Sequence, residues 1–224
     1  MDSAFRLVLL PGLGADHRLL EPQREEFPQL AVPSWIPPLK NESLPHYAAR
    51  MAETIAASQH APLILGGVSF GGMLASELAR HLKPDALVLI ASCRTRQGLR
   101  PIYRAAGGLL PLVPVQAWSI AKLLSGPVVR IRLGVPTARR DLAIRMFKET
   151  DSRFMHWVLQ AIVRWEPTPL EAVRVFQIHG GRDLLIPARR VQADQLSPDG
   201  GHLINVTHAQ DVNAFIRRAS EQAR

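Results

Sequence analysis

The chain has 224 residues, enough for one domain with its own hydrophobic core. Its composition, 47% hydrophobic and 21% charged residues, excludes a disordered protein. Cys93 is the single cysteine, so no intrachain disulfide can form, which favours a reducing compartment. The net charge of +8 is compatible with nucleic-acid binding, but the sequence has no zinc-finger spacing, aromatic RNA-binding motif or lysine-rich tail. We therefore expect no nucleic-acid partner.

No segment of the sequence predicts a membrane span or a signal peptide. The longest apolar stretch, Leu109–Val129, is interrupted by three prolines and a lysine. The apolar run near the N-terminus is broken by Pro11 and Gly12 and lacks a cleavage-site pattern. We expect a soluble, cytoplasmic protein without a transmembrane segment.

Short apolar runs alternate with helical patterns in the first half of the chain. Strands are predicted at Phe5–Leu10, Leu30–Trp35, Ala61–Val68 and Ala86–Ala91. Helices are predicted at Leu44–Ser58 and Phe70–Leu82, with apolar residues four apart in the first and a proline after the second. Strands that alternate with helices predict βαβ units and a mostly parallel sheet flanked by helices.

The alternation stops between Arg94 and Trp165, where the sequence has several prolines, helical patterns and no convincing strand. It then resumes with strands predicted at Val173–His179 and Val191–Leu196 and a last helix at His208–Gln222. We therefore predict an α/β domain with a helical insertion after its fourth strand. Its predicted parts are an N-terminal core segment, a helical insertion and a C-terminal core segment, residues 1–93, 94–165 and 166–224.

A G-x-S-x-G motif, Gly67–Gly71, lies where the third predicted strand meets a helix. A strand–turn–helix of this kind holds a serine in strained backbone geometry, and glycines two residues away leave room for the tight turn. The positive end of the helix that begins at Phe70 favours a developing oxyanion. The pattern makes Ser69 a candidate nucleophile; the alternative is a glycine-rich turn with an idle serine.

A serine nucleophile needs a general base, and the base needs a group that orients it. Of eight histidines, His202 follows the last predicted strand, and His208 is its nearest rival. His179 ends a predicted strand and is interpreted as a packing residue. Asp183 lies in the loop after that strand and is the first candidate for the orienting acid, with Asp194 and Asp199 as weaker ones.

An oxyanion hole needs a second backbone N–H besides that of Phe70. The turn Pro11–Gly14 follows the first predicted strand, which is expected to lie beside the strand that precedes Ser69. Leu13, with a glycine on each side, is the best candidate for the second donor. The alternative is a plain glycine turn; the lysine and Ser/Thr of a phosphate-binding loop are missing.

Four segments together resemble the α/β-hydrolase superfamily, in its esterase and lipase-like branch that carries a lid. They are LLPGLGADHRLL, GGVSFGGMLASELA, IHGGRDLLIP and GGHLINVTHA. The resemblance implies a triad of Ser69, Asp183 and His202, an oxyanion hole at Leu13 and Phe70, a sheet of about six strands and a helical lid. It implies no metal and no organic cofactor. The oxyanion turn departs from the family pattern, with PG where many relatives have HG.

The predicted lid carries the whole excess of positive charge. Residues 94–165 contain thirteen Lys and Arg and three acidic residues, so this segment is +10 and the rest of the chain is −2. Such a segment can steer anionic substrates or surfaces, or it can be an ordinary solvated face.

The sequence predicts a serine hydrolase that cleaves small carboxylic esters through an acyl-serine intermediate. An acyltransferase or a thioesterase with the same triad, and a hydrolase fold that binds a ligand without catalysis, stay open as alternatives. An anionic ester is one expectation for the substrate, and the oligomeric state is left undetermined.

Overall fold

The computed structural model of the protein describes residues 5–55, 61–106, 137–167, 169–170 and 173–223. They form a six-stranded sheet in the order β2-β1-β3-β4-β5-β6, in which every neighbouring pair is parallel. The strands are β1 Arg6–Leu10, β2 Leu30–Ala31, β3 Leu63–Val68, β4 Ala86–Ile90, β5 Arg174–Gly180 and β6 Gln195–Ser197. The predicted α/β class with a parallel sheet of six strands is confirmed.

Eight α-helices are present in the described part of the chain. They are α1 Glu21–Glu26, α2 Leu44–Ala52, α3 Phe70–Leu82, α4 Pro101–Ala106, α5 Thr137–Glu149, α6 Ser152–Arg164, α7 Ile204–Thr207 and α8 Ala209–Gln222. None of the helices in these residues is long and apolar enough to cross a membrane.

The central strands β3 and β4 are buried along their whole length and bury opposite faces against different helices. Leu65 and Leu87 belong to one apolar cluster, which includes side chains of α2, α3 and α6. Ile64 and Val88 belong to a second cluster, which includes side chains of α5 and α8 and those of Leu20 and Phe27 on either side of α1. Successive side chains of a strand alternate between its faces, so a continuous apolar run here covers two cores at once.

Three predicted elements differ from the structure by more than two residues at one end. The second strand is limited to Leu30–Ala31 instead of reaching Trp35, because Pro33 has no N–H to continue the ladder. The last strand is Gln195–Ser197 rather than Val191–Leu196, since a 3₁₀ turn at Ala188–Arg190 precedes it. The helix predicted at Leu44–Ser58 corresponds to α2, which ends at Ala52. Residues 56–60 lie outside the described part.

The stretch between β4 and β5 contains α4, α5 and α6, and its described residues include no strand. Helix α6 begins at an Asp151 cap, whose Oδ1 accepts a hydrogen bond from the Phe154 N–H at 2.8 Å. Its apolar face, with Trp157 and Val158, is buried in the first cluster. Residues 107–136 of the predicted insertion lie outside the described residues.

Because all six strands are parallel, the loops after their carboxyl ends meet at one edge of the sheet. Leu10 pairs with Gly67 and Val68 with Ile90 in the ladder, so the turn after β1 lies beside the turn after β3. Gly180 pairs with Ser197, which brings the loops after β5 and β6 to the same edge. Every residue predicted for the site lies in one of these four loops or at the helix start that follows β3.

Candidate active site

Ser69 lies on a sharp turn between β3 and α3 with backbone angles φ 54° and ψ −119°. A positive φ is costly for a residue with a side chain and persists only where the surroundings enforce it. The Ser69 N–H donates to the Ile90 carbonyl at 2.9 Å, and the Ser92 hydroxyl donates to the Ser69 carbonyl at 2.7 Å. Contacts from the end of β4 therefore hold the strained turn in place.

The glycines of the motif are required by close backbone packing. A Cβ at Gly67 would lie 2.4 Å from the Gly71 carbonyl carbon. A Cβ at Gly71 would lie 2.3 Å from the Leu10 carbonyl oxygen and 2.4 Å from that of Pro11. The turn that carries Ser69 is thus packed directly on the backbone that leads into the Pro11–Gly14 turn.

A chain of two hydrogen bonds joins the three predicted side chains. Ser69 Oγ lies 2.9 Å from His202 Nε2, and His202 Nδ1 lies 2.7 Å from Asp183 Oδ2. An ionised carboxylate only accepts hydrogen bonds, so the Nδ1 of His202 carries the proton and its Nε2 is free to accept from the serine hydroxyl. This is the tautomer that a general base for Ser69 requires.

The carboxylate of Asp183 is fully buried and held on both oxygens. Oδ1 accepts the backbone N–H groups of Leu185 at 2.8 Å and Ile186 at 2.9 Å. Burial by itself would raise the pKa of Asp183. This effect of burial is outweighed by the nearby His202, by the hydrogen bonds from His179 and His202, and by the Ile186 N–H. Together they hold the pKa of Asp183 well below its usual range.

A second imidazole contacts the same carboxylate. His179, at the end of β5, has its Nε2 2.8 Å from the Ile186 carbonyl oxygen and 3.2 Å from Asp183 Oδ2. The sequence interpretation of His179 as a packing residue missed this contact. The one signal in the sequence is the spacing of four residues between His179 and Asp183, which alone does not distinguish a contact from a coincidence.

The rival residues from the sequence lie in other environments. His208 Nδ1 lies 2.8 Å from the Thr207 hydroxyl, and no bond joins His208 to Ser69 within the described residues. Asp194 accepts the Gln177 N–H at 2.6 Å and an Arg94 N–H at 3.2 Å, and Asp199 is exposed. Cys93 is buried, and burial raises the pKa of its thiol to about 12, so it is no competing nucleophile at neutral pH.

The backbone N–H groups of Leu13 and Phe70 have no acceptor among the described residues. Gly12 lies against the serine, since a Cβ on it would be 3.5 Å from the Ser69 Cβ. Gly14 has a φ of 74° and faces the Phe147 ring of α5, which would lie 2.4 Å from a Cβ there. The turn after β1 therefore lies against Ser69, and the donor role of its Leu13 N–H in an oxyanion hole stays a prediction.

The sequence profile of the Alpha/beta hydrolase family matches residues 7–215, nearly the whole chain. The chain belongs to the alpha/beta hydrolase family. A search of curated protein sequences found no significant match.

Solved structures with the same fold cover almost all of this alpha/beta hydrolase at low sequence identity. An esterase (EaEST) from Exiguobacterium antarcticum has a TM-score of 0.76 and 14% identity, covering 99% of this chain and 93% of its own. A hydrolase from Oleispira antarctica has a TM-score of 0.73 and 14% identity, covering 98% and 92%. A thermophilic esterase from Thermogutta terrifontis has a TM-score of 0.70 and 16% identity, covering 99% and 91%.

A groove of about 700 Å³ opens in this alpha/beta hydrolase between the loop before α2 and helix α6. Trp157 lines it and also packs edge-on against Phe70, with ring centroids 6.2 Å apart. Neither Ser69 nor His202 lines the groove. The contact between Trp157 and Phe70 thus connects this groove to the helix start beside Ser69.

The described residues of this alpha/beta hydrolase contain no group of three or more His, Cys, Asp or Glu side chains arranged to hold a metal ion. That the reaction needs neither a metal nor an organic cofactor stays a prediction.

The depressed pKa of Asp183 predicts a stability loss in acid. The unfolded carboxyl has a pKa near 3.9, so its contribution is complete above that value and is lost as pH falls toward the lower folded pKa. We expect roughly 1–3 kcal/mol of unfolding free energy to disappear between about pH 5 and pH 2 through this group. Urea unfolding of wild type and Asp183→Asn across this range should give a shallower pH slope for the variant; parallel slopes would contradict it.

Proposed function

We propose that this alpha/beta hydrolase cleaves carboxylic esters through an acyl-serine intermediate, with Ser69 as nucleophile, His202 as general base and Asp183 as the acid that orients it. The observation that carries the proposal is the hydrogen-bonded chain from Ser69 Oγ to His202, at 2.9 Å, and on to Asp183, at 2.7 Å. Similarity of fold to proteins described as esterases supports it.

In the first half of the reaction, Ser69 Oγ attacks the ester carbonyl carbon while His202 Nε2 takes the hydroxyl proton. The carbonyl π electrons move onto the oxygen, and the N–H groups of Leu13 and Phe70 stabilise that oxyanion. When the tetrahedral intermediate collapses, the bond to the alcohol oxygen breaks and the alcohol leaves with the proton held by His202. The acyl group stays on Ser69.

In the second half, His202 takes a proton from water as the water oxygen attacks the acyl carbon. Collapse of the second tetrahedral intermediate breaks the bond to Ser69 Oγ, releases the carboxylic acid and returns the proton to the serine. Asp183 remains ionised throughout, because its low pKa and two backbone N–H donors favour the charged form. Neither half requires a metal or an organic cofactor.

Residues 94–165 are proposed to cover the site as a helical lid on a core made of residues 1–93 and 166–224. Contacts of α5 with the turn after β1 support this arrangement. The Phe147 ring lies against Gly14, and the Arg18 guanidinium bridges Asp16 and Glu149. Helix α5 therefore packs beside the proposed oxyanion donor of Leu13.

The +10 charge of residues 94–165 predicts a preference for anionic esters that depends on salt. Steering acts on association, so we expect kcat/KM rather than kcat to favour an anionic ester over its neutral analogue at low ionic strength. The advantage should shrink as salt rises, because exposed charges are screened beyond roughly 10 Å at 0.1 M. Steady-state kinetics of wild type and the Arg139→Gln, Arg140→Gln double variant measure it; equal rates for both esters at low salt would contradict it.

Fluorophosphonate labelling followed by peptide mass spectrometry tests the proposed function. We expect covalent modification at Ser69 and hydrolysis of p-nitrophenyl esters of graded acyl length. A protein that binds the esters without labelling or turnover would be a ligand-binding member of the family instead. Thioester and alcohol-acceptor assays with the same acyl groups distinguish an ester hydrolase from a thioesterase or an acyltransferase.

The single cysteine supports the further proposal of a cytoplasmic location. That the protein has no nucleic-acid partner stays a prediction.

A further inference from the structure

The proposed orienting acid is shared by two imidazoles. Asp183 Oδ2 lies 2.7 Å from His202 Nδ1 and 3.2 Å from His179 Nε2. The side chains of His179 and Asp183 are both fully buried. Among the described residues, Asp183 is the one charged group within ion-pair distance of His179. An electrostatic contact between two fully buried groups is little weakened by water, so this contact matters for the charge on Asp183.

Hydrogen bonding fixes which nitrogen of His179 carries the proton. The Ile186 carbonyl oxygen, 2.8 Å from Nε2, is only an acceptor, so Nε2 is the donor. Nδ1 is buried and has no partner among the described residues. A positively charged imidazole would place a second N–H donor at Nδ1 with nothing to receive it, which is costly in a buried position. His179 is therefore a neutral donor whose Nε2–H bonds the Ile186 carbonyl, and the same nitrogen lies 3.2 Å from Asp183 Oδ2.

The contacts around Asp183 form a closed arrangement on one loop. The Ile186 N–H donates to Oδ1 at 2.9 Å, and its carbonyl accepts from the imidazole that also contacts Oδ2. The strand end at His179 thus fixes the loop backbone and the carboxylate together. Without His179, Asp183 keeps the two backbone N–H groups on Oδ1 and the His202 N–H on Oδ2, but loses the second imidazole N–H beside Oδ2.

We propose that His179 is a positioning residue that orients the Asp183 carboxylate and limits how strongly it pulls on His202. The inference rests on the proposed function, because it concerns how the acid acts on the base. By donating to Oδ2, His179 withdraws part of the negative charge that His202 would otherwise receive. The titratable groups that contact Asp183 within the described residues are His179 from β5 and His202 from the loop after β6.

His179 is proposed both to orient Asp183 and to limit its pull on His202, so a variant without the His179 N–H should have a specific kinetic signature. Asp183 Oδ2 then interacts with His202 alone and stabilises its protonated form more, so the acidic limb of the kcat/KM profile moves to higher pH. The carboxylate is also less well oriented, so kcat falls roughly tenfold or more, as when one hydrogen bond to a charged group is lost. KM changes little, because His179 does not touch the substrate.

Two substitutions of His179 separate positioning from packing. His179→Leu fills the space without a donor, whereas the Nε2 of Gln in His179→Gln can occupy the place of the imidazole Nε2 and donate to the same acceptors. We expect the leucine variant to show the lower kcat and the displaced acidic limb, and the glutamine variant to recover most of both. If both variants keep the wild-type pH profile, or lose kcat to the same extent, His179 only packs and the inference is overturned.

An NMR measurement tests the inference independently of ester turnover and of whether His179→Leu folds. In protein with ¹⁵N-labelled histidine rings, we expect His179 to remain the neutral Nε2–H tautomer at neutral pH and its ring shifts to respond to Asp183→Asn. A protonated His179 or an Nδ1–H tautomer would overturn the inference. If wild type shows the expected tautomer and response but hydrolyses no ester and is not labelled at Ser69, the proposed function fails while the contact between His179 and Asp183 stands.

Discussion

Ser69→Ala should lower kcat/KM for p-nitrophenyl esters by several orders of magnitude while leaving the folded structure intact. The substitution removes one oxygen, the atom that attacks the ester and accepts the acyl group. Loss of one member of such a triad typically leaves only the small rate enhancement that binding and the oxyanion hole provide. Steady-state kinetics, with circular dichroism and thermal unfolding to verify the fold, measure the effect.

Ser76→Ala is the matched control for this experiment. Ser76 is a buried serine about two turns further along α3, and its hydroxyl donates to the Gly72 carbonyl at 3.0 Å. We expect the Ser76→Ala variant to keep nearly the wild-type turnover and to be labelled by the fluorophosphonate as wild type is. Turnover by Ser69→Ala at the wild-type rate would remove Ser69 from the mechanism.

His202→Ala should have an effect of the same order, because the serine hydroxyl then has no base 2.9 Å away to take its proton. His208→Ala is the matched control: His208 is partly buried, lies six residues further on and bonds the Thr207 hydroxyl instead. We expect most of the activity to survive in that variant. The reverse result would mean that the base has been misassigned.

The two large effects should not add. Ser69 and His202 act as one unit, so the double variant Ser69→Ala, His202→Ala should be about as inactive as either single variant. Losses that multiply in the double variant would show that the two residues contribute independently, which contradicts the proposed proton transfer between them.

Local sequence patterns were sufficient to predict the parallel sheet and the turn at Ser69. The apolar runs of β3 and β4 are long enough to identify strands buried on both faces, and the glycines of the motif mark the turn after β3. His202 and Asp183 were also named from their places after predicted strands. The structure brings both side chains into the hydrogen-bonded chain with Ser69.

Contacts that depend on tertiary packing could not be predicted from the sequence. The Ser92 hydroxyl reaches the Ser69 carbonyl only because β3 and β4 are neighbours in this register. The bond from His179 to Asp183 requires the loop after β5 to fold back on the strand end. No periodicity or motif predicts either contact, since each joins groups whose distance is set by the packing of the whole sheet.

Both edges of the sheet are formed by its shortest strands. β2 has two residues and β6 has three, and each is followed closely by a proline, Pro33 and Pro198. An edge strand exposes unpaired N–H and C=O groups on which a strand of another molecule can pair, and short strands ended by proline offer few of them. The folded chain should therefore resist edge-to-edge aggregation. Aggregation is instead expected from the unfolded chain, where the apolar segments LILGGV and ALVLI of β3 and β4 become exposed to solvent.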